Sequence, residues 1–238
     1  EAAPPPAQND QDLIIVTAQR RAELSRDVPI SITTVTQDQL TSAGASQLTD
    51  IATVTPALRF DSAAAFVQPT IRGVGTAVAS SGGGANVGIY VDGFYSPNPR
   101  AADFQLMSLK SVQVLKGPQG TLFGRNTTGG AILLTTADPS SDGAGEFKVS
   151  YGRFNSLAVQ GYATFGVVQD VAMDVEALFR RGNGFVHNIT TGSDRDGRYS
   201  NWSVRTGIKA DLSDSVSLLL RYTHSDTDDP TLLNTNIY

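Results

Sequence analysis

The sequence predicts two architectures in succession: an α+β domain built from a mixed sheet with short helices, then the first antiparallel strands of a transmembrane β-barrel. Three observations carry that reading. Before Asp138-Pro139, short β-branched runs alternate with glycine-rich loops and with two helix-start signals. From Glu146 onward helix signals vanish, and long stretches alternate apolar and polar residues with the period of two of a half-solvated strand. The connections between those stretches are mostly short, with one long exception, the asymmetry of a membrane barrel.

Taken in order, residues 1–12 are rich in Pro, Ala and Gln and read as a flexible tail. Leu13, Ile14, Ile15, Val16, Thr17 and Ala18 then form a short apolar strand without an obvious sheet of its own. It is either a first core strand or one held out for a partner's sheet edge. Val28 to Val35 alternates, with Val28, Ile30 and Ile32 on one face. Thr36 and Gln39 make a capping box for a helix that Gly44 can end. A second helix starts at Ser46, with Leu48, Ile51 and Ala52 on one face, and Thr55-Pro56 stops it.

Asp92-Gly93 between Tyr90-Val91 and Phe94-Tyr95 predicts a two-residue hairpin. Residues 101–110 read as a short helix and Ser111 to Leu115 as a strand. That strand leads into VLKGPQGTLFGRNTTGGAI, residues 114–132, a basic glycine-studded loop between apolar runs. The first domain therefore spans 28–139, after a tail (1–12) and a strand-bearing linker (13–27), and the barrel strands fill 140–238.

About five such strands are visible, each near the ~9–11 residues of a tilted membrane strand. Phe147, Val149 and Tyr151 oppose Glu146, Lys148 and Ser150; Leu157, Val159 and Phe165 oppose Gln160, Tyr162 and Thr164. Val171, Met173, Val175 and Phe179 oppose Asp174, Glu176 and Arg180; Trp202, Val204 and Ile208 oppose Ser203, Arg205 and Lys209; Val216, Leu218, Leu220 and Tyr222 oppose Ser217, Arg221 and Thr223. Residues 152–156, 166–170 and 213–215 read as short turns and 182–199 as a long polar loop. Phe154, Phe165, Phe179, Phe185, Trp202 and Tyr222 suit interfacial girdles. Alternation alone fits a soluble β-sandwich with one wet face as well.

Composition and motifs exclude other classes. The net charge of −5, with Lys and Arg scattered singly, offers no field for nucleic acid. Without cysteine there is no disulfide or thiolate metal site, and His187 and His224 have no ligand spacing. No apolar run reaches the ~20 residues of a membrane helix.

The loop at 114–132 fails as a Walker phosphate loop: Gly120 to Gly124 is one residue too short, and Arg125-Asn126 replaces Lys-Ser/Thr. Gly73-Val-Gly75 has Val78 where a dinucleotide fingerprint needs its third glycine. There is no G-x-S-x-G elbow, and Asp226, Asp228 and Asp229 lack the spacing of a calcium loop. Three short glycosylation sequons carry no weight. The sequence points to no enzyme, no cofactor and no metal.

The stretches Leu13 to Ala18, Val28-Pro-Ile-Ser-Ile32, Pro69-Thr-Ile-Arg-Gly-Val-Gly75 and Val87-Gly-Ile-Tyr-Val-Asp-Gly93 come in that order. Val114-Leu-Lys-Gly-Pro-Gln-Gly-Thr-Leu-Phe-Gly-Arg-Asn126 and Gly129-Gly-Ala-Ile132 follow. With these the chain resembles the N-terminal part of a TonB-dependent outer-membrane receptor, its plug domain and first barrel strands. The resemblance implies a plug inside a barrel of about 22 strands, in the outer membrane of a Gram-negative bacterium with the tail in the periplasm. It implies energised import of a scarce ligand, most often a ferric siderophore, with haem, cobalamin or an oligosaccharide as other cargoes.

In such receptors TonB, driven by proton-motive force, pulls an N-terminal box, here Leu13 to Ala18. The family often pairs plug arginines with barrel glutamates. Arg72 fits one such place, Lys116 stands where arginine is common, and Gln113 where glutamate is common; Lys116 and Arg125 are the other candidates for fastening the plug to the wall. Candidate ligand contacts are the loop residues Phe66, Gln68, Tyr95, Asn98 and Arg100. The tail is too short for the signalling domain some members carry. Five strands cannot close a barrel, since open edges in lipid leave backbone groups unpaired at several kcal/mol each, so the chain reads as a fragment of a longer one. The contrasting expectation is a surface binding protein with a static plug-like domain and no transport.

Overall fold

The computed structural model describes residues 15–16, 23–24, 30–45, 47–63, 66–76, 84–96, 108–188, 193–213 and 215–228. They belong to two units, 1–136 and 137–238.

In the first unit β1 (Ile15–Val16) pairs antiparallel with β2 (Glu23–Leu24). The main sheet holds β3 (Ser31–Thr36), β6 (Val87–Val91), β7 (Phe94–Tyr95), β8 (Leu109–Lys116) and β9 (Gly130–Thr136) in the spatial order β3-β8-β9-β6-β7. The β6–β9 pair is parallel and the other pairs in that sheet are antiparallel. A separate hairpin joins β4 (Leu58–Ala63) to β5 (Phe66–Ile71).

The sheet's central strands are covered on both faces, which is why β6 (VGIYV) and the first part of β9 (GAILL) read as nearly unbroken apolar runs, while β8 buries Gln113 among Val112, Val114 and Leu115. One face carries Val112, Val114, Ile132, Leu134, Val87 and Ile89, packed with Leu40, Leu48, Ile51, Leu58 and Ile71. The other carries Leu115, Ala131, Leu133 and Tyr90 under Ile30, Ile32, Tyr95 and Phe123. α1 (Gln37–Ser42) has its capping box: the Gln39 amide donates to Thr36 Oγ1, and the Thr36 amide to Gln39 Oε1 at 3.0 Å. Gly44 follows at φ +69°, the left-handed residue that ends the helix.

The expected second helix is a 3-10 segment, Leu48–Thr53, capped at Gln47 rather than Ser46, which lies outside the described residues. Its six residues include Thr49, Ile51 and Thr53, whose β-branched side chains and the stop at Pro56 disfavour a full α-turn. The helix expected over 101–110 needs a correction at its end: β8 begins at Leu109, so Leu109 and Lys110 are strand, while 101–107 lie outside the described residues. A short helix, α2 (Gly120–Phe123), occupies the glycine-studded loop.

The second unit is a five-stranded antiparallel meander. It runs through β10 (Ala144–Gly152), β11 (Ser156–Val168), β12 (Val171–Asn188), β13 (Ser193–Ser213) and β14 (Val216–Asp228) in sequential order. β12 and β13 are 18 and 21 residues long, longer than expected. The loop expected over 182–199 is mostly ladder: Gly182 pairs with Tyr199, Asn183 with Arg198 and Val186 with Asp196. These polar, glycine-bearing residues satisfy their backbone groups across the hairpin without the apolar alternation that marks a strand in sequence. The outward apolar alternation covers Val171 to Phe179 and Trp202 to Leu212, the length of the ~9–11 residues a tilted crossing needs.

The register places the predicted faces together. Val159, Phe179 and Trp202 are neighbours across three strands, as are Phe165, Met173, Ile208 and Leu220. This apolar face is the exposed one: Phe147, Phe165, Phe179, Trp202, Ile208 and Leu220 are all exposed, whereas Gln160, Thr164 and Asp174 on the opposite face are buried. A soluble sandwich would bury the other face.

Candidate functional site

Three groups of side chains emerge from the fold. The first is cationic and sits beside the β5 end. Ile71 and Val74 exchange backbone hydrogen bonds of 3.0 and 2.9 Å around Arg72 and Gly73, at φ +51° and +81°. That is the two-residue turn whose twist matches antiparallel strands. Arg72 is fixed by its amide donating to Ala57 O at 2.9 Å, and its guanidinium donates to Ser31 Oγ at 2.9 Å. Ser31 is the register partner of Lys116, so the two cations are brought together. Burial and then the neighbouring Arg72 charge hold the Lys116 ammonium below its ordinary pKa. Among the described residues neither forms an ion pair with a carboxylate. Arg125 is exposed on the loop after α2 and is not part of this pair.

The second group is the loop between β8 and β9. The amide of Gly117 donates to Gly129 O, that of Gln119 to Thr127 O and that of Gly124 to Gly120 O, at 3.1, 2.9 and 3.0 Å. Amides that a phosphate cradle would present are therefore used by the loop's own carbonyls. Gly130, at φ +147°, passes so close to β8 that a Cβ there would lie 2.3 Å from Leu115 O.

Asn86, which the sequence reading did not single out, ties three loops: its amide donates to Thr76 Oγ1, its side chain donates to Gly75 O and accepts from Thr128 Oγ1, and its carbonyl accepts from Gly129 N. Asp92, in the predicted hairpin turn at φ +49°, accepts from both the amide and hydroxyl of Thr136. Tyr90 donates to Phe123 O, and its ring packs at a tilt against those of Phe123 and Tyr95.

The candidate ligand contacts are not brought together. Gln68 sits half-buried opposite Asp61 on the β4–β5 hairpin, and Phe66 pairs through its backbone with Ala63. Tyr95 lies on the other sheet, its hydroxyl accepting from Asn126 Nδ2 at 3.0 Å. Asn98, Arg100 and the side chain of Phe66 lie outside the described residues. Of the box, Ile15–Val16 forms a ladder with Glu23–Leu24 instead of standing alone; Leu13, Ile14, Thr17 and Ala18 lie outside the described residues. On β4, Asp61 accepts from Thr70 Oγ1 and pairs with Arg59, which together hold its carboxyl below the usual carboxylate range.

The third group lines the polar face of the second unit. Glu176 and Arg205 are register partners and form an ion pair of 2.7 Å, both largely covered. Further along the same face Tyr199 packs on Gly182, where a Cβ would lie 2.7 Å from the ring, and Arg180 stacks over it. Among the described residues no cluster of His, Cys, Asp and Glu could hold a metal ion.

Residues 25–131 match the model of the TonB-dependent receptor plug domain. Over 193 residues the chain is 30% identical to the pesticin receptor of Yersinia pestis, covering 79% of this chain and 28% of that protein. It is 28% identical over 157 residues to the ferrioxamine B receptor of Salmonella typhimurium, covering 60% and 21%. Among solved structures, the ferric yersiniabactin uptake receptor of Yersinia pestis superposes with a TM-score of 0.76 at 24% identity, covering 83% of this chain and 32% of that one. The ferripyoverdine receptor of Pseudomonas aeruginosa, with ferripyoverdine bound, superposes at 0.72 and 18% identity, covering 90% and 27%. The chain thus spans under a third of the length of these relatives. It carries a TonB-dependent receptor plug domain over residues 25–131, followed by antiparallel strands, and the relatives it matches across both parts are receptors, not enzymes.

Proposed function

We propose that this chain is the plug and first wall strands of an outer-membrane receptor that imports a ferric siderophore with energy delivered by TonB. The observation that carries the reading is the succession of two opposite sheets. One is buried on both faces, as a plug requires; the other exposes its apolar face while Gln160, Thr164 and Asp174 are buried on the polar face of its central strands, as a lipid-bounded wall requires. The cargo class rests on relatives whose names concern ferrioxamine B, ferric yersiniabactin and ferripyoverdine. Haem, cobalamin or an oligosaccharide would use the same architecture.

In this reading the tail lies in the periplasm and Leu13 to Ala18 add as a strand to TonB. Arg72 and Lys116 face barrel-wall carboxylates, with Arg125 a separate contact. Phe66, Gln68, Tyr95, Asn98 and Arg100 remain the candidate ligand contacts, Tyr95 the least available because its hydroxyl is already engaged.

Deleting 13–18 from the full-length receptor should abolish uptake of the radiolabelled ferric siderophore while leaving its binding to cells intact. Uptake that survives the deletion refutes energised import through this box. The ladder of Ile15–Val16 with Glu23–Leu24 favours one competing reading, a static surface binding protein whose box is occupied within the chain. Failure of the 1–27 peptide to bind the C-terminal domain of TonB would decide for it.

A further inference from the structure

The second unit begins with a strap that no strand prediction anticipates. Residues 137–141 cross the polar face of the sheet along one register row, in which Thr164 of β11 faces Asp174 of β12, Asp174 faces Gly207 of β13, and Gly207 faces Arg221 of β14. Arg221 begins the crossing: its guanidinium donates to Ala137 O at 2.9 Å and to Asp138 Oδ1 at 3.0 Å. Pro139 is buried over Gly207, where a Cβ would lie 3.2 Å from the proline ring and 2.7 Å from Asp174 Oδ1. Thr164 ends it, accepting from the Ser140 amide at 2.7 Å and donating to Ser140 O at 3.0 Å. Ser141 then passes Gly166, where a Cβ would meet it at 3.3 Å.

The sequence at each step suits the crossing. Proline has no amide to leave unsatisfied where the chain lies over Gly207. The two glycines leave the depth a backbone needs to lie flat on a sheet. The Arg221 contacts join residues 83 and 84 positions apart, so they cannot be a local turn. A linker with no mechanical task would need neither a charge-assisted bond nor a notch cut for it in the wall.

We infer that residues 137–141 are a force-bearing anchor, fastened by Arg221, Thr164 and the Gly207 notch, at which unravelling of the first unit from its N-terminal end stops. This rests on the reading above in which force arrives through the N-terminal segment. Tension transmitted along the chain reaches Ala137 and Ser140, whose bonds to β14 and β11 pull across the strands rather than along them. The load is shared by non-adjacent strands before it reaches β10.

The test is single-molecule pulling of the full-length receptor in a bilayer from a handle at its N-terminus. Extension should proceed through Thr136, and a separate final rupture should then release roughly 17 Å, five residues at about 3.4 Å each. In the Thr164→Val/Arg221→Gln double variant the final rupture should vanish, its length joining the preceding extension. Gly207→Ala, which keeps both hydrogen-bonding side chains but fills the notch, should do the same.

The inference is overturned if the unaltered receptor shows no separate rupture, or if both variants retain it. Should neither variant assemble, amide exchange in the unaltered receptor decides: slow exchange at Ser140 supports the anchor, and exchange as fast as at exposed Gly143 overturns it. Because the instrument supplies the force, these outcomes are independent of whether TonB binds residues 13–18.

Discussion

Replacing Ile208 by lysine tests whether the exposed apolar face meets lipid. Ile208 is 43% exposed and lies between Met173 and Leu220 in the register. It is also near the middle of the outward run from Trp202 to Leu212. On a water-bathed sheet an exposed Ile→Lys change stays within about 0.5 kcal/mol. At the middle of a bilayer a lysine costs about 2–4 kcal/mol, and near the interface about 0–1. Leu212→Lys, at the end of the same run, is the internal control.

The lipid reading therefore predicts that Ile208→Lys shifts the unfolding equilibrium of the vesicle-embedded receptor roughly 30- to 900-fold, at about 1.36 kcal/mol per decade. Leu212→Lys should shift it by less than about tenfold. Guanidinium titration followed by tryptophan emission reads both. Equal, small effects at the two positions would refute the assignment of this face to lipid.

Other consequences follow from the same geometry. Gly130→Ala places a Cβ 2.3 Å from Leu115 O at φ +147° and should lower plug stability by about 2 kcal/mol or more, whereas Gly120→Ala, with nothing within 4 Å, should be near neutral by thermal melting. Removing one partner of the Glu176–Arg205 pair, as in Glu176→Gln, should destabilise the receptor toward the lower end of about 3–5 kcal/mol. The Glu176→Gln/Arg205→Met double variant should recover part of that loss, read by a double-mutant cycle.

In the 1–136 unit alone the lowered Lys116 pKa makes the unfolded chain the better proton binder between the folded pKa and the ordinary value of 10.5. Its stability should rise as pH climbs from the folded pKa toward that value. Lys116→Met should remove the rise in urea midpoints. Asp61 gives the same direction of pH dependence in the acid range: its lowered pKa contributes stability above the ordinary value of 3.8 that is lost as pH falls through the folded value. Thr70→Val should weaken this acid sensitivity.

The parts of the fold legible in the sequence were those with a local cause. Thr36 and Gln39 cap α1 through atoms three residues apart, and Asp92-Gly93 turns because two adjacent residues adopt positive φ. The faces of the long strands were legible because alternation carries its own face. What escaped was non-local. Asn86 gains its role from Thr76, Gly75, Thr128 and Gly129, which only folding assembles. The pairing of Arg72 with Lys116 runs through Ser31, 41 residues from Arg72. The ends of β12 and β13 beyond Phe179 and Trp202 escaped for another reason: apart from Phe185-Val186 their residues are mostly polar or glycine, so a ladder there leaves no hydrophobic period to read.

The choice between barrel and sandwich also lies outside the reach of periodicity, because a period of two states that two faces differ without stating which is outside. The structure decides it through covering. Ala172, Asp174, Gln160 and Thr164 are buried on the polar face while Phe147, Tyr151 and Leu220 stand exposed on the apolar one, reversing what water would select. Size sharpens the conclusion, since the apolar residues form one band across five strands instead of scattered singles, and a soluble surface rarely exposes an apolar patch beyond a few hundred Å². The long polar ladder beyond Phe179 and Trp202 then has a physical reason. On the lipid-wall reading it lies beyond the apolar band, where backbone pairing, not side-chain alternation, holds the hairpin together.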